Sequence, residues 1–345
     1  MIIRKEPFGI TGSGTPASRF ILENAHGTRA ILTDFGVTLL SLTFAGKDVV
    51  LGYDDLKTYE TQTEYFGATV GRFAGPIPNA LLQVGEKTYP LTRNMGSHQI
   101  HGGVHGFSFR VWDSEILPDA VRFTLFSPHG EEGYPGNLQV SVTCSLTEED
   151  GLLYTYDAVS DADTVLNMTC HAYFNLNGHT SGSVLSHVLQ SSAAYCRAEE
   201  PAGVPKAEVF SVTGTPFDFT KPHPIGENLQ NPHPQLDAPY GYDRNLYLGQ
   251  SGIWKQAALV EGETVAMEVL TTQSGFQLYC PGIPLENHPG KNGATYQPYG
   301  AFCMETQHCT APGETHLYPT LKANTPYHHQ TLYRFSHCNP QKILL

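Results

Sequence analysis

Leu138-Gln139-Val140-Ser141-Val142-Thr143-Cys144-Ser145-Leu146 is the stretch that decides the fold class. Apolar side chains take every second position and polar ones the positions between. An extended chain with this pattern is oily on one face and wet on the other, whereas a helix would scatter the same five residues around its circumference. Weaker versions of the alternation run over 121–126, 152–159, 164–170, 265–270 and 276–280. Shorter apolar runs at 20–22, 30–32 and 37–44 near the start, and 332–335 near the end, also fit strands. Turn residues separate them: Gly46-Lys47-Asp48, the glycine-flanked stretch 130–136, Glu149-Asp150-Gly151 and Thr213-Gly214-Thr215-Pro216. The 34 glycines and 24 prolines are spread through the chain, as many short strands joined by many loops require. One short helix fits 55–60, and no long amphipathic helix is evident. The Pro-rich part, 222–239, reads as a long surface loop because strand-like runs continue on both sides. The pattern predicts an all-β fold, a large antiparallel β-sandwich, with 1–345 forming a single domain.

The 345 residues carry a net charge of -13, and 40% are hydrophobic, enough for a sizeable core. The acidic balance speaks against nucleic acid as a partner, since phosphate binding draws on clustered Lys and Arg. No run approaches the roughly 18 apolar residues of a membrane span, and the first residues lack the apolar core of an export signal. Seven cysteines, scattered and without a C-x-x-C pair, read as reduced thiols. Together these features predict a cytoplasmic protein, a monomer or homodimer, that does not associate with membranes.

Four segments carry residues with chemical potential. His101-Gly102-Gly103-Val104-His105 joins two histidines to paired glycines, which let backbone approach a ligand closely. Histidines four apart share a face only on a helix, and the glycines argue for a loop, so no metal site is expected. The alternative is a glycine turn with hydrogen-bonded histidines. His171, in Cys170-His171-Ala172-Tyr173-Phe174-Asn175, ends an apolar run and is a candidate proton donor or a core histidine bonded to backbone. Glu305 sits in the apolar Phe302-Cys303-Met304-Glu305-Thr306. A buried glutamate is either paired or used as a base, and burial raises its pKa. Asp243, in Tyr240-Gly241-Tyr242-Asp243-Arg244, places a carboxylate among aromatic rings, a combination that suits sugars, or forms a turn paired with Arg244.

Taken in order, these stretches resemble the galactose mutarotase (aldose 1-epimerase) family. The matching motifs are Tyr65-Phe66-Gly67-Ala68-Thr69-Val70-Gly71-Arg72, His101-Gly102-Gly103 and Gly130-Glu131-Glu132-Gly133-Tyr134-Pro135-Gly136. They continue with His171-Ala172-Tyr173-Phe174-Asn175-Leu176, Gly241-Tyr242-Asp243, Met304-Glu305-Thr306-Gln307 and the stretch from Tyr327 to Phe335. The resemblance implies a galactose mutarotase-like sandwich and a cofactor-free isomerase acting on a monosaccharide, galactose or glucose. Glu305 would be its general base and His171 its general acid. His101, Asp243 and Gln277 would bind sugar hydroxyls, with His101 also assisting at the ring oxygen. One departure is clear. Where the family continues after Phe73-Ala74 with Asn-Arg, this chain has Gly75-Pro76. Arg72 does not replace the missing arginine, because the family carries an arginine there as well. Three other readings stay open: a sugar-binding module without turnover, an epimerase for a different or phosphorylated sugar, and a glycoside hydrolase using Asp243 and Glu305.

Overall fold

The computed structural model describes residues 1–200, 203–236, 240–285 and 288–338. Strand Leu138–Leu146 forms as the alternation requires, with its five apolar side chains buried. Strands Val121–Ser127 and Gly151–Ser160 pair with it on either side. These belong to a nine-stranded sheet that continues through Tyr327–His337, Val265–Thr271 and Lys255–Glu261. A six-stranded sheet runs Tyr173–Phe174, Phe302–Gln307, Gly275–Pro281, Gly241–Tyr247, Tyr195–Glu200, Val204–Ser211. The N-terminal strands from Ile2–Ile10 to Lys47–Asp48 form a separate five-stranded meander. All the named strand pairs are antiparallel, and the all-β sandwich expected from the sequence is what forms.

The two large sheets meet over rings. Phe174 of one lies 5.2 Å from Tyr333 of the other, and the Tyr333 hydroxyl donates to the Met304 carbonyl at 3.0 Å. Phe20 meets Phe123 edge-on at 5.3 Å, joining the meander to the nine-stranded sheet.

Strand Phe302–Gln307 is buried on both faces. Its side chains nonetheless alternate in purpose. Phe302 and Met304 enter the inter-sheet core, while Cys303, Glu305 and Gln307 face the other way. That second face is the floor of a cavity.

The helix expected at 55–60 is Leu56–Thr61, with Asp55 as its N-cap, accepting from the Thr58 N–H at 2.9 Å. Among the described residues no helix is long and apolar enough to cross a membrane. The strand expected over 164–170 is instead two short ones, Thr164–Val165 and Thr169–Cys170. Asn167 breaks it. Its side chain donates to the Ala74 carbonyl at 3.0 Å and accepts from the His308 N–H at 2.9 Å, which turns the chain out of the ladder. Within the Pro-rich part a two-residue strand, His223–Pro224, pairs with Val188–Gln190, and Pro239 at its end lies outside the described residues.

Arg72 explains itself in this fold. It is 2% exposed, and its guanidinium donates to the Ser127 hydroxyl and to the carbonyls of Ser127, Pro128, Pro135 and Gly136 at 2.7–3.1 Å. It crosslinks the strand end at Ser127 to the 130–136 turn and has nothing left for a ligand.

Candidate active site

Five strands of the six-stranded sheet contribute side chains to the lining of a cavity of 730 Å³. Strand register does the assembling. Glu305 pairs with Gln277, Cys303 pairs with both Tyr279 and Tyr173, and Tyr279 pairs with Asp243. Because side chains alternate, residues two apart share a face, so His171 joins Tyr173, and Gln277 joins Tyr279. His101 arrives from the glycine loop on the opposite wall. All five sequence-predicted residues, His101, His171, Asp243, Gln277 and Glu305, line this one cavity.

At its base His171 Nε2 lies 3.6 Å from Glu305 Oε1. That is too long for a hydrogen bond. Both groups keep their bonding capacity for something bound between them. The two are buried, at 5% and 3% exposure. Burial, and secondly the Asp243 carboxylate, pushes Glu305 well above the ordinary range. Burial pulls His171 down to about 4. Each group thus resists its charged form, and a proton held by the pair is favoured on Glu305. The His171 ring is fixed by stacking on Tyr173 at 5.1 Å and Tyr65 at 6.1 Å, with its Nδ1 against the Cys303 thiol at 3.8 Å.

Burial, with His171 as the lesser cause, lowers His101 well below its usual value. Its Nδ1 accepts from the Gly75 N–H at 3.3 Å. The neutral ring therefore carries its proton on Nε2. Asp243 is open to the cavity and accepts from Gln277 Nε2 at 2.6 Å. The surrounding cavity walls desolvate the carboxylate and raise its pKa, opposed by that bond and by Arg244. Its free lone pairs and the carbonyl of Gln277 form an acceptor patch suited to hydroxyl groups.

Among the described residues, His171, Cys303 and Glu305 are the one group of three whose donor atoms lie within 4.8 Å of one another and so could hold a metal ion. A metal needs the thiolate of such a set. Burial first, and then the Glu305 carboxylate, pushes the Cys303 thiol well up and keeps it protonated. The trio is better suited to moving a proton than to ligation.

A model of the aldose 1-epimerase family matches residues 18–334. The chain belongs to the aldose 1-epimerase family. Galactose mutarotase from Sus scrofa is 35% identical, over 94% of this chain and 96% of that protein. Aldose 1-epimerase from Haemophilus influenzae is 35% identical over 85% and 87%. Among solved structures, an aldose epimerase homologue from C. elegans superposes with a TM-score of 0.83 at 29% identity, covering 92% and 98%. Galactose 1-epimerase from Lactobacillus acidophilus gives 0.83 at 26% identity, covering 98% and 99%.

In this epimerase family member Gly75 and Pro76 line the cavity. Gly75 holds φ +100 and lends both its N–H and its carbonyl to His101. Proline brings no donor here. At these two positions the cavity wall offers no side-chain donor.

Sequence reasoning missed several cavity residues. Tyr65 was quoted only as part of a motif, yet its ring meets His101 at 4.8 Å. Cys303 carries no role in the sequence reading, and Tyr279 falls in 276–280, which reads only as a strand. Glu199 also lines the cavity, with Arg197 at 3.3 Å and Arg244 at 3.0 Å on its carboxylate. No strand signal marks Tyr195–Glu200, so nothing in the sequence placed Glu199 there.

The buried histidines make stability pH-dependent. His187 is 1% exposed, its Nε2 accepts from the Leu176 N–H at 3.1 Å, and burial lowers its pKa to about 4. In the unfolded chain it titrates near about 6.5. Between those values the unfolded state holds more protons, so stability is full above about pH 6.5 and is lost as pH falls toward 4. We expect this site alone to cost on the order of 3 kcal/mol across that window. Urea melts from pH 7 to pH 4 will show the decline, and His187→Gln will reduce it by this site's share, leaving that of the other histidines lowered by burial.

Proposed function

We infer that this protein interconverts the α and β anomers of a free aldose, acting as an aldose 1-epimerase on galactose or glucose. The observation that carries the reading is the buried juxtaposition of His171 and Glu305 at the floor of the cavity, 3.6 Å apart and unbonded. Family membership supports it, as do the relatives named galactose mutarotase and aldose 1-epimerase.

Mutarotation needs one base and one acid. With the sugar bound across the pair, Glu305 carboxylate takes the proton from the anomeric hydroxyl, and His171 imidazolium gives its proton to the ring oxygen. The C1–O5 bond breaks as the C1 carbonyl forms. Rotation about C1–C2 turns the other carbonyl face to the ring-oxygen hydroxyl. On reclosure His171 takes the proton back from the O5 hydroxyl and Glu305 returns its proton to the C1 oxygen. The pair enters and leaves with the same proton count, and neither transfer calls for a cofactor. The active arrangement, ionised Glu305 with protonated His171, arises from the single-proton state by a shift within the pair, without exchange with solvent. Positioned acids and bases of this kind each accelerate about 10²- to 10⁴-fold.

His101, Asp243 and Gln277 are assigned to the sugar hydroxyls. Asp243→Asn exchanges a charged acceptor for a neutral one. It is expected to raise KM by roughly 10- to 100-fold with a smaller change in kcat, given about 1.5–3 kcal/mol for a hydrogen bond to a charged group. Steady-state kinetics with galactose will check this.

The seven cysteines are free thiols, and six of them are buried, which supports residence in a reducing compartment, the cytoplasm.

Polarimetry of freshly dissolved α-D-galactose and α-D-glucose tests the activity, with methyl α-D-galactoside as control. Acceleration of both free sugars with an unchanged glycoside is expected. Release of methanol from the glycoside would move the chain to the hydrolases, and no acceleration with either sugar would refute the epimerase reading.

A further inference from the structure

The turn Gly130–Gly136 touches neither His171 nor Glu305, yet one of its side chains reaches into the glycine loop that carries His101. The Glu132 carboxylate accepts from two consecutive backbone N–H groups, that of Val104 at 3.0 Å on Oε2 and that of His105 at 2.9 Å on Oε1. The same residue's carbonyl accepts from the Thr92 N–H at 3.0 Å and from Gln99 Nε2 at 3.2 Å. Glu132 thus grips the chain on both sides of His101. The glycines of the loop are shaped around it. A Cβ on Gly103 would lie 2.1 Å from Glu132 Oε2, and one on Gly102 would lie 1.8 Å from the Gly71 carbonyl oxygen. The second glycine of the His101-Gly102-Gly103 motif is therefore there to admit the carboxylate. His101 itself holds φ 52, a conformation that a loop residue keeps only when its neighbours are anchored. Its ring stands edge-on to His171, with centroids 5.3 Å apart.

We propose that Glu132 is a positioning residue that fixes the loop backbone and so aims His101 at the bound sugar. Charge-assisted bonds from one carboxylate to two successive amides are strong and directional. Losing them frees the loop between its glycines and lets the imidazole wander from the cavity wall. The proposal rests on the epimerase reading for its kinetic test but not for its spectroscopic one.

The kinetic test is a double-mutant cycle of Glu132→Ala with His101→Ala on the full chain, following anomerisation of galactose. Glu132→Ala is expected to lower kcat/KM by about 10- to 100-fold, chiefly through KM, since misplacing a binding group by about 1 Å is worth up to this much. In the His101→Ala background the same change is expected to have less than about a twofold effect, because the group it positions is gone. Equal effects in both backgrounds would overturn the proposal. Glu132→Gln keeps one acceptor oxygen and gives an intermediate loss. It serves in the same cycle if the alanine variant does not fold.

The second readout needs no turnover. Side-chain nitrogen spectra of ¹⁵N-histidine-labelled protein are expected to show His101 as a single Nε2–H tautomer in the wild type and as an averaged pair of tautomers in Glu132→Gln. An unchanged His101 signal would also overturn the proposal. Absence of acceleration by the wild type would count against the epimerase reading alone.

Discussion

Glu305→Gln will lose at least about 10²- to 10⁴-fold in kcat, the contribution of one positioned base, and more because the acid fails with it. The amide has nearly the same shape and cannot take up the anomeric proton. It also disables its partner. With Glu305 neutral, nothing in the site favours a charged imidazole that burial already holds at about 4, so His171 stays unprotonated at neutral pH. His171→Ala fails by the converse route. Burial and Asp243 keep a lone Glu305 protonated well above the ordinary carboxylate range, and a carboxylic acid is no base. Each single variant and the double variant should therefore fall within roughly tenfold of one another, as for groups that act as one unit. The same coupling shapes the pH profile of kcat/KM. Activity falls at low pH when the pair gains a second proton and at high pH when it loses its only one, and both flanks belong to the pair rather than to either residue.

Arg72→Met is expected to destabilise the fold by about 3–5 kcal/mol, the scale seen when a buried charged group is removed from its partners. The guanidinium donates to one hydroxyl and four carbonyls; of these the Pro128 carbonyl also accepts from the Glu131 N–H, and the Ser127 hydroxyl also bonds the Glu131 carboxylate. Methionine fills the volume but removes all five bonds and leaves buried acceptors short of a partner. Arg72→Lys should recover little, since three donors on a point charge do not span a planar five-donor fork. Urea denaturation measures the loss. KM for galactose in the lysine variant separates this account from a role in substrate binding. An unchanged KM is expected, and a raised KM with full stability would show that Arg72 touches sugar after all.

Much of the sandwich was legible because its central strands are half-buried. Leu138–Leu146 alternates strictly and Val121–Ser127 as far as Leu125, after which Phe126 is exposed and Ser127 buried; each has one face in the core. Strands that break the rule were missed for physical reasons. Ile2–Ile10 is a sheet edge with little burial on either face, so no periodicity marks it. Tyr195–Glu200 buries Arg197 and Glu199 as an ion pair, which makes a core strand look like a charged loop. In 164–170 a polar side chain, Asn167, overrode an apolar run.

The site was legible residue by residue but not in its geometry. His101, His171, Asp243, Gln277 and Glu305 could be singled out by chemical type and by motif. Their convergence depends on strand register across the six-stranded sheet, which no local pattern encodes. Glu132 shows the same limit from the other side. A turn rich in glycine and acid predicts a solvated surface, and only the fold reveals that its carboxylate holds a loop 27 residues earlier in the chain.

The most direct test of the His171–Glu305 pair is exchange spectroscopy of galactose at anomeric equilibrium in D₂O. Wild-type protein should strengthen the cross-peaks between the α and β H1 resonances without loss of H1 or H2 to deuterium, because only O–H and C–O bonds are remade. Glu305→Gln should return the cross-peaks to the spontaneous level. Deuterium entering at C2 would indicate enediol chemistry, and exchange that persisted in Glu305→Gln would show that this pair does not carry the proton transfers.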